Sequence, residues 1–98
     1  MGAYMFQLEL PDWTDELEEV IPYQRQHVSQ LFSDGRLVMY SVSQQRNFLW
    51  CVVHAADEQE AMEVVAAFPL HPFFTDISCH ALLFHNTLPS ALPESSMN

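Results

Sequence analysis

The stretch FPLHPFFTDISCHALLFHN, Phe68 to Asn86, places three histidines, one cysteine, two prolines and four phenylalanines in nineteen residues. Histidine and cysteine are metal ligands, and histidine also moves protons near neutral pH. Strand periodicity decides between these chemistries. Read as a strand, Asp76 to Phe84 sends Cys79 and His80 to opposite faces, and His85, five residues beyond His80, points oppositely to it. His71 falls in the proline-flanked loop. Three ligands do not converge from this run, and no CxxC or zinc spacing is present. The expectation is therefore no metal. Proton transfer remains. His80, in largely apolar surroundings, is the candidate proton carrier, and Glu9 its partner or a second base. Gln7 and Tyr40 are candidates to hydrogen-bond a developing oxyanion. Phe48 and Trp50 would wall the pocket, and Ser78 shares the face of His80. The plainer reading of His80 is a hydrogen bond to a backbone carbonyl or a partner group; for Tyr40 and Trp50 it is core or subunit interface.

Several elements must position these groups. YMFQLEL, Tyr4 to Leu10, alternates, with Tyr4, Phe6, Leu8 and Leu10 on one side and Met5, Gln7 and Glu9 on the other. A helix is expected within Trp13–Ser33, capped by Thr14 and closed by Gly35. Pro22 either kinks it or starts its main part. RLVMYSVS and NFLWCVV read as strands joined by QQRN, and ADEQEAMEVVAAF reads as a helix that Asp57 and Glu60 begin. On the fourth strand, Ile77, Cys79, Ala81 and Leu83 suit packing under helices. Ser78, His80, Leu82 and Phe84 face the other way. For the second strand the two possible faces are nearly tied. Large Phe48 and Trp50 are placed away from the helices.

The order is β-α-β-β-α-β, the ferredoxin-like arrangement of an α+β protein. Residues 1–85 form its single domain, and residues 86–98, with two prolines among serines and threonine, an extended or disordered arm. Two helices on one face leave the other face of the sheet bare, so a partner is needed. Two sheets face to face would form a homodimer enclosing a cavity, a dimeric α+β barrel.

Composition narrows the partners. Thirteen carboxylates face three arginines and no lysine, giving a net charge of −10. Such an acidic protein lacks the basic footprint that nucleic acid or an anionic membrane requires. No apolar run reaches the ~20 residues of a membrane span, and no signal-peptide pattern opens the chain, so a cytoplasmic location is expected. With two glycines, no phosphate-cradling loop or nucleophile elbow is present. Cys51 and Cys79 read as buried thiols.

The Phe68–Asn86 stretch also resembles the C-terminal signature of muconolactone delta-isomerases, a Leu-Pro-Leu-x-Pro run, an aromatic, Asp-Ile, a strand and a histidine. Pro69, Leu70, Pro72, Phe73, Asp76, Ile77, Ala81, Leu82 and His85 carry the likeness, with Thr75 as an insertion. The Gly35-to-Pro69 spacing and MFQLEL extend it over most of Met5–His85. The resemblance implies a dimeric barrel, possible larger rings of dimers, and cofactor-free proton shifts in an unsaturated lactone. Gln7 and Glu9 replace a histidine and a basic residue of that family, and Leu37 to Ser41 replace a polar second strand. No family catalytic residue carries over. The leading expectation is a protein that binds, and by proton transfer isomerises, a small and mostly apolar ligand without a cofactor. The alternative is a non-enzymatic ligand-sensing or protein-interaction module whose barrel is filled by its own side chains. A weaker one is a cofactor-free monooxygenase or a haem-handling protein.

Overall fold

Alternation in the first strand becomes the centre of the sheet. The computed structural model describes residues 1–83 and 86, with β1 at Gly2–Glu9, α1 at Asp15–Ser33, β2 at Leu37–Val42, β3 at Phe48–Ala55, α2 at Glu58–Ala66 and β4 at Asp76–Leu82. A single 3-10 turn, His71–Phe73, precedes β4. The four strands form one antiparallel sheet ordered β2-β3-β1-β4. The expected arm, 86–98, lies outside the described residues apart from Asn86, as do the placements of Phe84 and His85.

One face of the sheet carries the core. Phe6 and Leu8 of β1 and Leu49, Cys51 and Val53 of β3 are fully buried, packed with Leu17, Val28 and Leu31 of α1 and Ala61, Val64 and Val65 of α2. Burial of such side chains stabilises by about 1.5–3 kcal/mol each. Ile77 and Cys79 of β4 pack against the same core.

Local chemistry sets the helix ends. The Thr14 hydroxyl accepts the Leu17 N–H at 3.2 Å, and Asp15, Glu16 and Glu18 occupy the first turn, where the helix dipole favours carboxylates. Pro22 lies inside α1, which continues through it to Ser33 rather than beginning there. At the far end the Gly35 N–H donates to Phe32 and the Arg36 N–H to Leu31, with Gly35 at φ +74°. This is a Schellman closure, which needs a left-handed residue. Asp57 accepts the Glu60 N–H at 2.8 Å, but the Glu60 carboxylate reaches back to Ala56, one residue earlier than a capping box requires.

The sheet is open. Its edge strands, β2 and β4, are separated by β3 and β1 and do not pair with each other. The expected barrel is therefore corrected to an open four-stranded sheet with helices on one face. Closure requires edge-to-edge hydrogen bonds that this strand order does not make.

Candidate functional site

Register decides which of the expected site residues meet. On the open face, rows of side chains cross the sheet. One row runs Met39, Val52, Met5, His80; the next runs Ser41, Trp50, Gln7, Ser78; a third runs Phe48, Glu9, Asp76. Within them, the Trp50 indole N–H donates to Gln7 Oε1 at 3.0 Å. Phe48 stacks on Trp50 with centroids 5.9 Å apart. Gln7, Phe48, Trp50 and Ser78 thus form a neighbourhood.

His80 and Glu9 do not join in one proton-transfer site. His80 stands beside Met5, four residues from Glu9 along β1, which is about 13 Å of strand. Glu9 is instead engaged at the start of β4, where its carboxylate accepts the Thr75 hydroxyl at 3.1 Å and its carbonyl accepts the Thr75 N–H at 2.9 Å.

Tyr40, on a strand whose two faces were nearly tied in the sequence, lies on the helix side. A register shift between Leu37 and Met39 inserts Val38 as an extra residue, which turns Met39 and Ser41 to the open face and pairs Tyr40 with Cys51. The Tyr40 ring packs edge-on against Phe68 at 6.3 Å. Its hydroxyl accepts Gln24 Nε2 at 3.1 Å, while Gln24 Oε1 accepts the Leu70 N–H at 3.0 Å. Gln24 is only 2% exposed. Burial raises the Tyr40 phenol above its ordinary value of 10.0, against the lowering effect of the Gln24 bond, so it stays protonated at neutral pH.

Beside Tyr40 lies a cavity of about 360 Å³ between α1, the β2 edge and the turn that follows it. Leu10, Ile21 and Leu70 supply apolar lining, and Trp13 an aromatic wall. Arg25 and Arg46 line it too, both exposed. Arg46 is held in position. Its guanidinium lies 4.8 Å over the Trp13 ring, and its carbonyl accepts the Trp13 indole N–H at 3.0 Å. It adopts φ 64°, the left-handed region that costs a non-glycine residue on the order of 1–3 kcal/mol. The sequence reading missed Trp13, Gln24, Arg25 and Arg46. The available signal was the scarcity of cations in an acidic chain, together with a turn, QQRN, lacking glycine.

The two thiols are separated by Phe6, which pairs with Cys51 on one side and Cys79 on the other. Two strand spacings, about 9.6 Å, exceed the ~7 Å that a disulfide tolerates. Burial pushes the Cys51 thiol up to about 12. Among the described residues no cluster of three or more histidine, cysteine or carboxylate side chains could hold a metal ion. No helix among them is long and apolar enough to cross a membrane.

No protein-family model and no curated protein matches the chain. Among solved structures it is similar to a 5-chloro-2-hydroxyhydroquinone dehydrochlorinase from Burkholderia phenoliruptrix AC1100, with TM-score 0.60 at 10% identity over 80% of this chain and 90% of that one. It is also similar to an antibiotic biosynthesis monooxygenase, with TM-score 0.55 at 13% identity over 91% of this chain and all of that one. Likeness at such identities establishes a shared fold alone. The resemblance to muconolactone delta-isomerases is overturned, since no such family matches and the sheet forms no barrel. The isomerase assignment goes with it.

Proposed function

We propose that this chain is a non-enzymatic binding module whose open sheet face meets a second copy of the chain. The carrying observation is half-buried Met39 and Met5, flanking buried Val52, beside the stacked Phe48–Trp50 pair, on a face where His80 and Glu9 stand rows apart. An apolar surface of this kind is a contact surface. Charge favours sheet against sheet. The open face carries carboxylates at one end, Glu9 and Asp76, whereas Asp15, Glu16, Glu18, Glu58 and Glu60 start helices on the opposite layer. Stacking the sheets about 10 Å apart turns both acidic helical layers outward, where their repulsion is weakest. Each sheet keeps its open edges, so the pair is a stacked dimer and not a barrel.

In this reading the module needs no cofactor and acts in the cytoplasm, where two thiols held apart remain reduced. With a net charge of −10 it does not bind nucleic acid. Sedimentation equilibrium tests the dimer. The wild-type chain is expected to sediment as a dimer at micromolar concentration, and Trp50→Glu as a folded monomer. A monomeric wild type sinks the reading.

A further inference from the structure

Two of the chain's three arginines, Arg25 and Arg46, line a single cavity, in a protein with thirteen carboxylates. A volume of about 360 Å³ falls in the range of small-molecule pockets, which run to roughly 300–1,000 Å³. Its lining divides by chemistry. Leu10, Ile21 and Trp13 offer contact to an apolar or aromatic body. Tyr40, whose oxygen already accepts from Gln24, has its phenolic proton left to donate. Guanidinium groups suit a carboxylate, with its flat pair of acceptor oxygens.

Arg46 carries a second, independent signal. A left-handed backbone at an arginine is unfavourable, yet the turn keeps it there and fixes it through the Trp13 indole and ring. Strain held at a residue that lines a cavity points to a role for its side chain.

We infer that the cavity between α1 and the β2 edge binds a small amphipathic carboxylate, its apolar body against Trp13 and Ile21 and its carboxylate between Arg25, Arg46 and the Tyr40 hydroxyl. This site lies on the helix side and stands apart from the proposed sheet-face contact.

The two tryptophans make the test specific. Their indole N–H groups give separate signals in a ¹⁵N-correlated NMR spectrum, Trp13 bonded to Arg46 and Trp50 to Gln7. Trp50→Phe assigns them. The probe is 1-naphthoate, with uncharged 1-naphthamide as its isosteric control. Saturable movement of the Trp13 signal by naphthoate, with Trp50 unmoved, is the expected result. Naphthamide is expected to bind about tenfold more weakly or worse. Arg25→Gln and Arg46→Gly should each weaken naphthoate to a similar degree while the rest of the spectrum remains that of the folded chain. Arg46→Gly is the cleaner variant, because glycine fits the left-handed turn. No saturable shift at Trp13 would overturn the inference. So would equal binding of the two probes, movement of Trp50 alone, or undiminished binding by both arginine variants.

Discussion

Gln24 and Tyr40, sixteen residues apart in sequence, meet through a 3.1 Å hydrogen bond from the glutamine amide to the phenol. The other end of the same amide takes the Leu70 N–H at 3.0 Å. One side chain of α1 thus ties the sheet edge to the segment after α2. Its burial is tolerated because both ends of the amide are satisfied.

Replacing Gln24 by leucine preserves much of the volume and removes both bonds. The Leu70 N–H is then buried without its acceptor, at a cost of about 1–3 kcal/mol. Urea unfolding followed by circular dichroism should show a lower midpoint with an unchanged slope. An unaltered midpoint would mean that water replaces the amide.

Gly35 and Arg46, both left-handed, should respond differently to substitution. Gly35→Ala is expected to lose about 1–2 kcal/mol. Nothing lies within 4 Å of the added Cβ, so the cost is one of backbone conformation alone. Arg46→Gly relieves strain but loses the stacking on Trp13 and adds freedom to the unfolded chain, leaving stability within about 1 kcal/mol of wild type. Thermal melts of the two variants check both statements.

Pro22 breaks the hydrogen-bond ladder of α1 at the Glu18 carbonyl and is exposed. Pro22→Ala restores the missing donor and is expected to stabilise the fold by about 1–3 kcal/mol. A destabilised variant in the same denaturation assay would show that the helix is shaped around the proline.

Cys51 keeps its proton well beyond the ordinary thiol range, chiefly through burial and further through Cys79 nearby. In the unfolded chain it ionises near 9.0, and in the folded chain near 12. Between those values the unfolded state binds fewer protons, so stability falls as pH rises from about 9 toward 12. Tyr40, also raised by burial, adds to the same loss above its ordinary 10.0. Unfolding free energy measured along that alkaline range should decline. At neutral pH a thiol reagent should modify the half-buried Cys79 well before Cys51. Equal labelling would contradict the buried placement.

The strand-helix order could be read from the chain because β1 alternates cleanly and Thr14, Gly35 and Asp57 punctuate the helices in the expected places. The same reading left the face of Tyr40 nearly tied. LVMYSV alternates weakly, and the extra residue at Val38 reverses the parity beyond it. His80 and Glu9 failed as a pair for another reason: face periodicity tells which side a residue occupies, but not its register against a neighbouring strand. The arginine-lined cavity was hidden because Trp13, Arg25, Tyr40 and Arg46 come from separate elements. The step from a bare sheet face to a closed barrel assumed an assembly that the strand order of one chain does not contain.

The displaced residue at Val38 has a further effect. An edge strand with a regular row of unpaired amide groups is a template on which other chains can grow into fibrils. β2 is such an edge, and its irregular step between Leu37 and Met39 breaks the row and twists it. A chain that is 49% hydrophobic is thereby given some protection against runaway self-association at the edge beside its arginine-lined cavity.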